Sequence, residues 1–214
     1  MRRIGATEER VACLSERTKR VAAVVLAAGQ STRMGAENKL IAEIGGVPLV
    51  RKTVDAVCDS SASPILVVVG HMRREVCAAL EGAPVTFVAN PDFASGLASS
   101  LKAGVRALPS DSDGVIILLG DMPRIAASHI DRILTAFRDA ESSIIVPTLQ
   151  GRRGNPVLWP AAYFRELLDL DGDTGAKALL ARHAEKVKEV DLGTDAIFLD
   201  VDTPQALQAL RDVS

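Results

Sequence analysis

Residues 24–40, "VVLAAGQSTRMGAENKL", begin as a run of small and branched apolar residues and then break into Gly, Ser, Thr, Arg, Gly and Lys. The first half has the composition of a strand buried on both faces, the signature of a mostly parallel sheet covered by helices. The second half fits two structures: a loop whose backbone N–H groups and cations wrap an anion, or an ordinary polar turn between strand and helix. Neither GxxxxGK[ST] nor GxGxxG is present, so no standard phosphate-loop pattern decides between them.

The alternation continues outward from this stretch. Apolar runs of strand length fall at 21–28, 64–70, 85–90, 114–120, 143–148, 155–160, 187–192 and 196–201, separated by segments of helical period near 48–60, 72–82, 97–108, 126–141, 161–170, 175–185 and 203–213. This predicts an α/β fold: a three-layer α/β/α arrangement around a mostly parallel, Rossmann-like sheet. No linker divides the chain. One domain is expected over 21–214, with a smaller face near 145–195 where a strand pair interrupts the alternation. Residues 1–20 do not fit the pattern and are expected to form a mobile or loosely helical leader.

Composition narrows the function. In 214 residues, 48% hydrophobic and 24% charged, there is enough apolar material for a full core, and a net charge of −2 supplies no long-range attraction for nucleic acid or an anionic membrane. Any anion must be bound locally. Cys13, Cys58 and Cys77 are too widely spaced for a metal clip and too few for a disulfide framework, which predicts a reducing, cytoplasmic setting. "TKRVAAVVLAAG" imitates a secretory signal, but its apolar run is short and no cysteine follows to take a lipid. No segment has the length of a membrane span.

In an open parallel sheet the ligand lies at the carboxyl ends of the strands. There, Ala27, Ala28 and Gly29 end the first strand with small side chains, Arg33 offers a planar fork for phosphate oxygens, and Lys39 a mobile point charge. "GVIILLGDMP" brings Asp121 out at the end of another apolar run, and "AIFLDVDTP" does the same with Asp202, with Asp200 one pleat deeper as a reserve. Each Asp could be a helix cap; together, beside a cationic Gly loop, they form a pair that could hold Mg²⁺ with phosphate oxygens and water. His71, His129 and His183 fall on turn or helical segments and are expected at the surface.

These stretches, "LAAGQSTRMGAENKL" with "GDMP" and "DVDTP", resemble the nucleotidyltransferases of the GT-A-like nucleotide-diphospho-sugar transferase fold. "NPDFASGLASSL", "GRRGNPVLW" and "GDTGAK" are further similar to the molybdenum cofactor cytidylyltransferases. The likeness covers about residues 21–213. It implies that Leu26, Ala27, Ala28 and Gly29 hold the nucleotide, that Arg33 and Lys39 act on its triphosphate, and that Asp121 and Asp202 hold Mg²⁺ or Mn²⁺. Asn90 and Gly96 would lie at the base, and Arg153, Asn155, Gly175 and Lys177 on the acceptor side.

The resemblance also implies a reaction: the phosphate of molybdopterin attacks CTP, pyrophosphate leaves, and the product passes to a molybdenum hydroxylase or its maturation chaperone. Ala at position 28 favours cytidine over guanosine in the family pattern. Alternatives within the same resemblance are transfer from another nucleotide, or a non-catalytic cofactor carrier. Lys177 stands where the family often has Arg, so a contact to an acceptor phosphate would be a point charge rather than a fork.

Overall fold

The computed structural model describes residues 18–30, 38–140, 142–172, 176–198 and 204–211. The central sheet runs in the order β10 (Val187–Asp191), β7 (Ile144–Leu149), β9 (Val157–Pro160), β6 (Gly114–Leu119), β1 (Val21–Ala27), β4 (Ile65–Val69), β5 (Thr86–Ala89), with β8 (Arg152–Arg153) paired to the end of β7. β1 pairs in parallel with both β4 and β6, β5 with β4, and β10 with β7. β9 is antiparallel to both β6 and β7. β2 (Glu43–Ile44) and β3 (Val47–Pro48) form a separate small hairpin.

All seven residues of β1 are buried, and alternate side chains feed two different cores. Val21, Ala23, Val25 and Ala27 face helices α1 (Leu49–Cys58), α2 (Arg73–Ala79), α4 (Ala127–Arg138) and α7 (Pro204–Arg211). Val24, Leu26 and Ala28 face α3 (Leu97–Arg106), α5 (Phe164–Leu168) and α6 (Lys177–Arg182). The three expected layers are therefore present, and each helix contributes one apolar stripe.

Seven of the eight expected strands form, each within two residues of its expected bounds. Of the eighth, 196–201, only 196–198 is described, and there Asp195–Phe198 is a 3₁₀ turn, not a strand. Its start is set locally: Gly193 has φ +66° and the Thr194 hydroxyl accepts a hydrogen bond from the Ala196 amide at 3.2 Å. Ala196 and Ile197 are as buried as strand residues, but against the core rather than in the sheet. Asp200 and Asp202 lie outside the described residues, as do residues 1–17 of the expected leader.

The end of that leader is tied down. Lys19 donates to the carbonyls of Phe137 and Ala140 at 2.9 and 2.5 Å, at the carboxyl end of α4, and lies 4.6 Å from the centre of the Phe137 ring. A cation there is favoured by the negative end of the helix dipole. The Arg20 amide donates to the Asp113 carboxylate at 2.7 Å.

Candidate active site

The parallel strands all end on one rim. At the end of β1, the side chains of Leu26, Ala27 and Ala28 point into the cores, and the chain first becomes exposed at Gly29, where nothing would meet an added Cβ within 4 Å. Gly70, at the end of the neighbouring β4, leaves room here, since a Cβ added to it would lie 2.6 Å from the Phe93 Cβ and 3.0 Å from the Ala28 Cβ. The Ala28 carbonyl accepts from the His71 amide at 3.2 Å, so the loop is anchored to the end of β4. Arg33 lies outside the described residues.

Next along the rim, β6 runs into Gly120 and the buried Asp121, 6% exposed. Asp121 forms an ion pair with Lys39, with side-chain exposures of 8% and 15%. Two polar residues set this pair from behind. Thr53 on α1 is fully buried; its hydroxyl donates to the Gly120 carbonyl and accepts from the Met122 amide, both at 3.2 Å, which grips the turn on either side of Asp121. The Asn38 carbonyl oxygen accepts from the Leu40 amide at 3.0 Å and caps the 3₁₀ turn Lys39–Ile41 that carries Lys39. Sequence reasoning missed both residues. Asn38 had a local signal, an Asn directly before a helical turn. Thr53 had none.

After β5 comes the loop expected at the base. Asn90 is 4% exposed, and its amide donates to the hydroxyls of Ser99 and Ser100 at 2.9 and 3.0 Å while its oxygen accepts from the Asp92 amide at 3.0 Å. These bonds hold the loop onto the first turn of α3. Gly96 begins that helix with φ 105°, a conformation that disfavours any side chain. The segment after α5 closes on the same place: Gly172 accepts from the Ala98 amide at 3.3 Å, and Lys102 pairs with Asp171 at 2.8 Å. Gly175 lies outside the described residues.

The other expected acceptor residues meet. Arg153, Asn155 and Lys177 line one cavity of about 460 Å³, together with Arg152, Leu180 and Phe198. Its lining also includes Leu119 and Met122, the residues on either side of Gly120 and Asp121 in the chain. The antiparallel course of β9 brings Asn155 back to the rim. Gly154 is required there, because an added Cβ would lie 2.5 Å from the Ile197 carbonyl, the same carbonyl that accepts from the Asn155 amide at 2.9 Å.

The cavity's cations differ in their commitments. Arg153 is paired with Glu189 at 2.7 Å. Arg152 stacks on Phe198, 4.2 Å from the ring centre, and both it and Lys177 reach the cavity without a carboxylate partner among the described residues. Sequence reasoning placed the stretch 151–156 on the acceptor side but singled out Arg153 rather than Arg152.

The histidines are half-buried rather than superficial, each with a packing task. His71 lies against Phe93 with ring centres 5.9 Å apart. His129 accepts the Ala126 amide on Nδ1 at 3.1 Å at the start of α4, and burial, with Arg132 nearby, lowers its pKa. His183 bonds Glu166 at 2.9 Å, and this bond holds the Glu166 carboxyl below its usual range. Cys58 and Cys77 sit on α1 and α2, partly buried against the core, and burial raises the Cys58 thiol pKa.

Asp121 is a buried carboxylate of the type that binds a divalent cation, neutralised in this structure by Lys39, and no cluster of three or more metal-capable side chains occurs among the described residues. One carboxylate with substrate phosphates and water is the manner in which Mg²⁺ is held at phosphate-transfer sites. Among the described residues, no helix is long and apolar enough to cross a membrane.

Comparison with known proteins agrees with this geometry. The chain is 37% identical over 141 residues to the bifunctional protein GlmU of Anaeromyxobacter sp., covering 63% of this chain but only 29% of that protein's length. It is 28% identical over 197 residues to the nicotine blue oxidoreductase of Paenarthrobacter nicotinovorans, covering 89% and 96% of the two chains. The solved structure of Rv0371c from Mycobacterium tuberculosis superposes with a TM-score of 0.79 at 25% identity, over 92% of this chain and 99% of that one. The model of the MobA-like NTP transferase domain matches residues 23–187, from the third residue of β1 to the first of β10, and the chain belongs to that family.

Proposed function

We propose that this protein is a cytoplasmic cytidylyltransferase that joins CMP from CTP to the phosphate of molybdopterin, releasing pyrophosphate. The observation that carries this reading is the adjacency of two differently charged sites. A buried Lys39–Asp121 pair lies at the rim, and a cavity presenting Arg152 and Lys177 opens directly beside it. A transferase that joins two phosphorylated molecules needs two neighbouring phosphate sites, and Leu119 and Met122, which line the cavity, bracket Gly120 and Asp121 in the chain.

In the reaction an acceptor phosphate oxygen bonds to the α-phosphorus of CTP as the bond to pyrophosphate breaks. The acceptor is ionised at neutral pH, so no general base is needed, in keeping with three histidines engaged in packing. Lys39 and Arg33 neutralise the triphosphate, while Arg152 and Lys177 hold the acceptor in line. Asp121, with Asp202, would hold Mg²⁺ or Mn²⁺, which supplies charge neutralisation to the phosphates. The loop fixed by Asn90 and ending at Gly96 frames the base, and Ala28 in the LAAG loop favours cytosine. Arg153 and Asn155 shape the acceptor wall, with Gly175 beside it.

A second reading rests on the near full-length likeness to an oxidoreductase. Pyrophosphate release measured with CTP, GTP, ATP and UTP against the metallated pterin, in parallel with redox turnover of nicotine blue, separates the two. Turnover confined to CTP is expected. Equal turnover with GTP overturns the cytidine assignment, and redox turnover of nicotine blue without pyrophosphate release overturns the transferase.

A further inference from the structure

Asp121 is the carboxylate to which the proposed reaction gives the divalent cation, yet its neighbour in this structure is an ammonium. The Lys39–Asp121 pair is largely shielded, with side chains 15% and 8% exposed. Neither end is free to drift: Asn38 caps the turn under Lys39, and Thr53 grips the turn around Asp121. A second cation brought to the same carboxylate would be repelled by the ammonium, and poor solvent access leaves that repulsion weakly screened. Lysine suits displacement, because its charge is a compact point on a flexible stem.

We propose that Lys39 is a tethered counter-ion that occupies the metal position of Asp121 until a nucleotide arrives, whereupon its ammonium moves to the triphosphate and the divalent cation takes the carboxylate. This rests on the reading of Asp121 as a metal ligand. Metal alone then binds weakly, because the unpaired, competent form of Asp121 is a minor fraction. Nucleotide and metal bind cooperatively, since the triphosphate offers Lys39 another partner and so releases the carboxylate. The pair thereby imposes an order in which metal enters with the nucleotide.

The probe is Mn²⁺ alone, followed by the electron paramagnetic resonance signal of the free ion, on the full chain without nucleotide. Lys39→Met keeps the unbranched stem and removes the charge. It should bind Mn²⁺ at least about tenfold more tightly than the wild type, the factor expected when a pair worth about 1.4 kcal/mol no longer competes. Lys39→Gln gives a second uncharged variant should Lys39→Met fold poorly, and Lys39→Arg should stay as weak as the wild type. The gain should vanish in Lys39→Met/Asp121→Asn. If neither uncharged variant tightens Mn²⁺ binding, the counter-ion role is overturned, while loss of pyrophosphate release in Asp121→Asn would leave the transferase standing. If the gain persists in the double variant, the metal is not on Asp121 and both statements fall.

Discussion

Lys39 and Lys177 are the same side chain in opposite surroundings. Lys39 is largely shielded, paired and positioned from behind; Lys177 is exposed, on a short helix, with no carboxylate beside it among the described residues. The difference teaches what each half of the site asks of a cation. Where charge is concentrated and water excluded, the cation must be neutralised within the protein before substrate arrives, and its loss leaves a buried carboxylate exposed to the full cost of desolvation. Where the ligand is large and enters a cavity of about 460 Å³, loosely held cations can wait in solvent, and each contributes modestly.

The comparison is most severely tested at its buried end. Asp121→Asn removes the anchor of that half, and pyrophosphate release should fall by about 10²–10³ while the melting curve stays cooperative; near-normal turnover at limiting Mg²⁺ would erase the contrast. Gly154→Val tests the wall between the halves. With the Ile197 carbonyl 2.5 Å from any added Cβ, the change should cost about 1–3 kcal/mol in chemical denaturation and weaken acceptor binding with it.

At the exposed end, Lys177→Ala and Arg152→Ala should each raise the half-saturating acceptor concentration several-fold with little change for CTP, and Lys177→Arg should retain activity or improve it. Arg153→Ala should do less than Arg152→Ala, because Glu189 already neutralises it. A reversal of that order would reassign the acceptor's contact. Smallest is the effect of His129, which is not among the residues lining the cavity. Its folded pKa lies below the ordinary value of 6.5, so the stability it confers is complete above 6.5 and declines as pH falls through the lowered value. His129→Gln should flatten that part of a profile of melting temperature against pH.

The sheet was legible because seven strands are apolar along most of their length and bounded by turn residues, a pattern with few competing solutions. The run at 196–201 misled because burial alone does not distinguish a strand from a turn pressed on the core. The deciding signals, Gly193 and Thr194, lie just before it. In the site, residues announced by a strand end or a Gly turn were legible: Gly29, Asp121, Asn155. Thr53 was not, since it reads as one more residue of an amphipathic helix and gains its role only when α1 packs beneath Gly120. Nor does any local pattern distinguish Arg152 from Arg153. Glu189, from the far edge of the sheet, makes the distinction.

The central place of β1 has a consequence for how the protein is made. The strand at Val21–Ala27 is synthesised well before one of its two partners, β6, which ends only at Leu119. At about 5–20 residues per second, roughly 5–20 s pass between them on the ribosome. Through that interval a strand with no polar side chain has only β4 to pair with, and the rim that will hold Asp121 does not yet exist. The nascent chain is thus committed to a long apolar exposure by the same centrality that later makes β1 buried along its whole length, and its yield in a cell depends on what shields those seven residues during translation.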